Sequence, residues 1–396
     1  MINFDFNSYI DINKNDYKKY LAKKEEIINK LNTSNMNGWL NDVDNSQIKK
    51  IIEYKDYIKN NSDLLVVIGI GGSYLPSYAF NKALLNYFKN DFEVIYVGYS
   101  LSSNYMNDLL EYIKDRKIII NVISKSGNTL ETSITYDILN NFMIKKYGEE
   151  ETINRTIITT DKNNGLLREK VNKYNYKSLI IPNNIGGRYS FLTPAHLLVL
   201  SLNYDINKII KGYQKGLELI DSAFNYAINR RCLFDKGKYI ENFCIFDEKL
   251  LPFVEFLKQL FGESEGKNRK GIFPTSSLYS RDLHSLGQFI QDGNNIIFET
   301  YIYINNNSLF KYKNTDLDSI NNIVLDSVIK AHYDGGVTSN IIKIDNLNEE
   351  SISMLISYFM LSAAFSAYLF DIEPFDQPGV EIYKKNIKEN LKIWKQ

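Results

Sequence analysis

Glu263, within Gly262-Glu263-Ser264-Glu265-Gly266-Lys267, and His284, within Asp282-Leu283-His284-Ser285, stand 21 positions apart among loop-forming residues. A carboxylate and a neutral-range imidazole can remove and return protons near pH 7, provided the fold brings both to one substrate. Phe253, Phe256, Leu257, Leu260 and Phe261 recur at helical spacing just before the acid, with Gln259 one turn ahead of it. The spacing predicts an amphipathic helix ending near Glu263, where a carboxylate faces the negative end of the helix dipole and is suited to base work. Taken without neighbours, Glu263 or Glu265 reads as a solvated end-of-helix acid.

Three other stretches supply donors for an anion. Gly69-Ile70-Gly71-Gly72-Ser73 ends an apolar strand and precedes a helix, so the backbone can approach a ligand closely. A dinucleotide fingerprint would want glycine where Tyr74 stands, and alone the run reads equally as a tight turn. Ser124-Lys125-Ser126-Gly127-Asn128-Thr129 also leaves a strand and opens a helix; three hydroxyls, one lysine and the first helical amides are the donors a phosphate monoester needs. Its bland reading is a strand-to-helix loop in which Asn128 or Thr129 is merely an N-cap. Neither this stretch nor Gly262 to Asn268 supplies the GxxxxGK[ST] of a nucleotide-binding P-loop. Gly186-Gly187-Arg188-Tyr189-Ser190 sets an arginine after paired glycines, where a permanently charged guanidinium is suited to an oxyanion or enediolate, or simply closes a loop.

The remaining chemistry is sparse. His196 lies in an apolar helix and reads as a core or interface residue, while His332 precedes the turn Asp334-Gly335-Gly336 and has no assigned role. No HxxxH or HExxH pair occurs and the two cysteines, Cys232 and Cys244, are too few for a zinc site or a disulfide framework, so neither metal nor disulfide is expected and a reducing cytoplasm fits. Phe375 to Lys384 contains a Pro378-Gly379 loop that brings Gln377 ahead of a helix over Val380 to Lys392 carrying Lys384. The 47 basic and 47 acidic residues cancel, which removes the global field that draws nucleic acid or anionic membrane. Met1 leads into polar residues, so no secretory signal is visible. Ile352 to Phe370 is apolar at helical length, but four serines interrupt it, and it reads as a buried core helix.

The elements that must hold these residues alternate. Leu64 to Ile70, Val94 to Val97, Ile118 to Ile123, Thr156 to Thr160 and Ser178 to Ile181 are short apolar runs separated by helical patterns, as expected of parallel strands covered on both faces. A second set follows, with strands at Tyr239 to Phe246 and Ile296 to Ile304. The expected fold is α/β, two doubly wound units: a polar-faced helical segment over 1–50, a first domain over 51–204 with the phosphate cradle, a second over 205–370, and a C-terminal loop and helix over 371–396.

In this order the segments closely resemble the glucose-6-phosphate isomerases, particularly their shorter bacterial form, with a match from Gly69 to Lys384. The resemblance implies two sugar-isomerase-type domains, an active site between them, no cofactor, and a homodimer in which the imidazole matching His284 reaches the neighbouring subunit's site. It implies reversible conversion of glucose 6-phosphate to fructose 6-phosphate in cytoplasmic glycolysis and gluconeogenesis. By family pattern Glu263 shuttles the proton through a cis-enediolate, Arg188 stabilises its charge, and His284 and Lys384 help open the ring. Gly72, Ser73, Ser124, Lys125, Ser126, Thr129, Gln259 and Gln377 match positions that hold phosphate or sugar. The chain departs from the pattern at Asn128, at Arg281 and at His196, where a small residue is typical. Competing readings are a non-catalytic sugar-phosphate sensor and an isomerase that also accepts mannose 6-phosphate.

Overall fold

A computed structural model describes residues 2–88, 92–305 and 310–394 of the 396. Met1 and residues 395–396, the outer limits of the two terminal segments expected from sequence, lie outside the described residues. The chain forms two compact units: a first of Asn35–Lys215 with Asn348–Ile356, and a second of Met1–Ser34, Gly216–Leu347 and Ser357–Gln396.

The N-terminal strand β1 (Ile2–Tyr9) belongs to the second unit. The first unit's sheet comprises β2 (Leu64–Ile68), β3 (Glu93–Val97), β4 (Ile118–Ile123), β5 (Thr156–Asp161) and β6 (Lys177–Ile181), in the order β3-β2-β4-β5-β6 and parallel throughout. Every residue of β2, β4 and β5 is buried, the continuous burial that a sheet covered on both faces requires. One such face packs Leu64, Val66, Ile68, Ile120 and Val122 against Leu109, Ile113, Leu139 and Met143 from flanking helices.

The second unit adds β7 (Ile240–Ile245), β8 (Phe273–Leu278), β9 (Ile297–Ile304), a two-residue ribbon of β10 (Lys311–Tyr312) and β11 (Thr315–Asp316), and β12 (Ser339–Ile344). Its main sheet runs β1-β12-β9-β7-β8, parallel except for β1. From the β8 edge, the first four strands repeat the order of the first unit.

The opening residues correct the expectation of a helical start. Ile2, Phe4 and Phe6 alternate along β1 and Phe4 stacks on Tyr358 at 4.6 Å, so a period of two governs this stretch and helices begin only at Lys14–Leu21. His284 sits in a 3-10 turn, Arg281–His284, and the next helix starts at Gly287. The long apolar helix Glu349–Leu369 is the one helix among the described residues long and apolar enough to cross a membrane, and 94% of its apolar window is buried. Its serines bond inward: Ser353 donates to the Ile209 carbonyl at 2.6 Å and Ser362 to Tyr358 at 2.8 Å.

Candidate active site

In the first unit the donor loops leave the carboxyl edge of one sheet. β2 lies between β3 and β4, so the chain's two directions of winding part between β2 and β4, the position where open parallel sheets bind ligands. Gly69–Ser73 follows β2 and Ser124–Thr129 follows β4. Gly127 has φ +73°, and a Cβ there would meet the Leu167 amide nitrogen at 2.8 Å, so only glycine fits this turn. The Ser124 hydroxyl accepts from the Gly127 amide at 3.1 Å and keeps its own proton to donate. Thr129 occupies the N-cap of the helix Leu130–Tyr147, yet its side chain makes no capping bond, and the bland N-cap reading therefore does not account for its hydroxyl. Free hydroxyls beside the open amides of a helix N-terminus favour an anion.

Lys125 takes a different place from the one its type suggests. Its ammonium donates to the Asn183 and Ile185 carbonyls at 2.8 and 3.2 Å, and partial burial lowers its pKa. It ties the cradle loop to the chain leading into Gly186. Arg188 is buried in the 3-10 turn Gly187–Tyr189, whose neighbour Gly72 lies so close that a Cβ on Gly72 would be 2.2 Å from the Gly187 carbonyl carbon. The loops bearing Ser73 and Arg188 are thus one packed structure.

The second unit offers its residues from both edges of its sheet. The helix Leu251–Glu265 leaves β7 and returns to the start of β8; Gly262 faces Pro274 there, with 3.6 Å between an ideal Cβ and the ring. Glu263 is half-buried, and its carboxylate accepts from Gln259 Nε2 at 3.1 Å, one turn earlier. Gln259 Oε1 is buried without a partner among the described residues. His284 lies at the opposite, carboxyl end of β8, where Asp282 accepts from the Leu278 amide at 2.7 Å. Its imidazole is exposed and makes no hydrogen bond among the described residues. Lys384 is exposed on the helix Pro378–Trp394 and pairs with Glu381 at 2.9 Å. Gln377 is half-buried just before that helix.

Two supports escaped the sequence reading. Arg230, wholly buried, donates from Nε to Glu241 at 2.7 Å and from Nη1 to Glu265, two residues past the candidate base. In sequence it is one of two adjacent arginines, Arg230 and Arg231, in the helix Ile220–Asp235, and nothing there marks which of them is buried. Lys267 reaches the Glu373 carbonyl and Asp376, the latter at 2.7 Å, and so fastens the segment before Gln377 to the loop after Glu263. His196, expected in the core, is wholly buried, and burial pushes its pKa down to about 3.

The phosphoglucose isomerase family model matches residues 44–276, more than half of the chain. The glucose-6-phosphate isomerases of Bacillus thuringiensis (strain Al Hakam) and Bacillus cereus (strain B4264) are each 39% identical, over 88% of this chain and 85% of theirs. Among solved structures, a glucose-6-phosphate isomerase from Chlamydia trachomatis is similar in fold, with a TM-score of 0.83 at 17% identity, covering 100% of this chain and 89% of that one.

Proposed function

Because the chain belongs to the phosphoglucose isomerase family, we propose that Glu263 is the base of its reaction, with Arg188, His284 and Lys384 as its catalytic partners. That reaction is the reversible isomerisation of glucose 6-phosphate and fructose 6-phosphate. In our reading the phosphate rests on the hydroxyls of Ser73, Ser124, Ser126 and Thr129 and the amides that follow them, with Gly72 admitting the backbone close to the ligand and Lys125 holding the loop. Gln259 and Gln377 bind the sugar. His284 and Lys384 assist ring opening by moving a proton between the ring oxygen and the C1 hydroxyl. Glu263 then takes the C2 proton of the open aldose, leaving a cis-enediolate whose negative charge Arg188 stabilises, and returns the proton to C1 while the O2 hydroxyl proton passes to O1, giving the ketose. No redox equivalent enters or leaves.

The observation that carries this reading is the half-buried Glu263 carboxylate, oriented by Gln259 on a helix end that Arg230 and Lys267 fasten. A second observation supports the homodimer. Glu263 and His284 stand at opposite ends of β8, whose six residues span roughly 20 Å. That separation exceeds the reach to adjacent carbons, which supports the reading that the imidazole at each site comes from a second copy. Exposed Leu286 and Phe289 beside His284 are apolar surface for such contact. The hexose phosphate substrate and two unpaired buried cysteines fit the cytoplasm, and the reaction fits glycolysis and gluconeogenesis.

The test is Glu263→Gln assayed with fructose 6-phosphate through a coupled dehydrogenase. Turnover falls by about 10²- to 10⁴-fold while substrate still binds. Wild-type turnover in that variant would remove Glu263 from the mechanism.

A further inference from the structure

The Gly69–Ser73 and Gly186–Ser190 loops meet at a buried imidazole. His196, in the helix Pro194–Ser201, has its Nε2 2.9 Å from the Gly72 carbonyl oxygen and 3.1 Å from Ser190 Oγ. A carbonyl oxygen only accepts, so Nε2 carries the proton and shares it between these two oxygens. The Ser190 hydroxyl in turn donates to the Gly187 carbonyl at 2.6 Å. A continuous path of hydrogen bonds therefore runs from Gly72, next to Ser73, to Gly187, next to Arg188. Nδ1 is buried without a partner among the described residues, and burial keeps the ring neutral with a pKa down at about 3. The imidazole thus has no part in proton transfer near neutral pH and serves as a fixed donor.

We propose that His196 is a positioning residue of the isomerase reaction, a latch that, with Ser190, holds the Ser73 loop and the Arg188 loop in one geometry. This rests on the reading of Ser73 and Arg188 as substrate contacts. Gly72 and Gly187 already touch through backbone, so a small slip of either loop changes where the guanidinium and the serine point. The latch gives the junction directional bonds, the Gly72 carbonyl accepting from His196 and, at 3.2 Å, from the Ser190 hydroxyl as well.

The experiment compares His196→Leu, which keeps bulk without the donor, with His196→Gln, whose side-chain amide restores it. With Tm recorded for each, His196→Leu loses about 10- to 100-fold in kcat/KM, mostly in kcat, because a misplaced guanidinium loses transition-state contact. His196→Gln returns to within about threefold of wild type at a similar Tm, which a bulk packing role would not predict. If His196→Leu does not fold, Ser190→Ala removes the second arm and lowers kcat/KM by roughly 3- to 10-fold. Wild-type kinetics in His196→Leu, or in Ser190→Ala where it stands in, would overturn the latch. Arg188→Ala and Ser73→Ala run in parallel: activity lost in these but kept in His196→Leu sinks the latch alone, and activity kept in all sinks the site reading beneath it.

Discussion

The two units share a strand order but not a use of it. In the first, the residues assigned to substrate all follow the carboxyl ends of β2, β4 and β6, and glycines and hydroxyls line the winding switch between β2 and β4. The equivalent switch in the second unit lies between β7 and β9, and it is a cleft lined by Phe246, Asp247, Asp318, Asn321 and Asn322. Two carboxylates there repel the anion that the first unit's donors attract. The second unit instead presents a carboxylate from the amino edge of its sheet and an imidazole from the carboxyl edge. Topology offers a place where loops gather; the loop residues decide whether anything charged is held there.

The largest effect tests the separation along β8. Glu263→Gln and His284→Ala are each predicted to lose about 10²- to 10⁴-fold in turnover. Unfolded together and refolded as a mixture, they should recover about a quarter of wild-type activity, because in the proposed homodimer half of the pairs are mixed and each mixed pair has one intact site. A mixture as inactive as its components would mean that both groups act within one chain.

The next prediction sets the two switch points against each other. Ser124→Ala and Thr129→Val should each raise the KM for fructose 6-phosphate by roughly 10-fold or more, the worth of a hydrogen bond to a charged group. Asp247→Asn and Asp318→Asn, changed at the other switch, should leave kcat/KM within about twofold. A large loss from the aspartate variants would make the second cleft part of catalysis.

The first unit was largely legible in sequence, because fully covered strands read as unbroken apolar runs and the glycine and hydroxyl loops follow them directly. The second was less so. β8, Phe-Pro-Thr-Ser-Ser-Leu, is too polar for an apolar run, and β1 and β12 earn their places by pairing with each other across almost the whole chain. Periodicity located the helix under Glu263 correctly, yet it carries no information on which edge of a sheet the helix end reaches. Burial also hides in composition: nothing in the sequence shows that Arg230 meets two buried carboxylates or that the Lys125 ammonium meets two carbonyls.

A smaller effect probes how the second unit keeps its pieces together. Lys267→Ala frees the segment Glu373 to Asp376 from the loop after Glu263 and should cost about 3- to 10-fold in kcat/KM through loss of order at Gln377. Unchanged kinetics would show that Gln377 is held by other contacts.

The smallest effect contrasts two buried histidines under acid. His196 in the first unit faces a carbonyl and a hydroxyl, whereas His332 in the second places Nδ1 2.7 Å from Glu299. Burial lowers His196 from 6.5 to about 3, so between those values the unfolded chain binds a proton that the folded chain refuses. The stability is therefore complete above about pH 6.5 and falls as pH drops toward 3, by roughly 1 kcal/mol per pH unit. Burial pushes Glu299 up, but the bonds from His332, Tyr279 and Tyr301 outweigh it and leave the carboxyl below its ordinary 4.5, so its contribution is lost only at lower pH. Urea midpoints of the wild type should fall from pH 6 to pH 5, before Glu299 begins to protonate, while those of His196→Gln fall less, since a neutral amide takes up no proton. Curves that stay parallel would show that the buried imidazole exacts no proton-linked cost, and the neutral donor assigned to the first unit's junction would have to be given up.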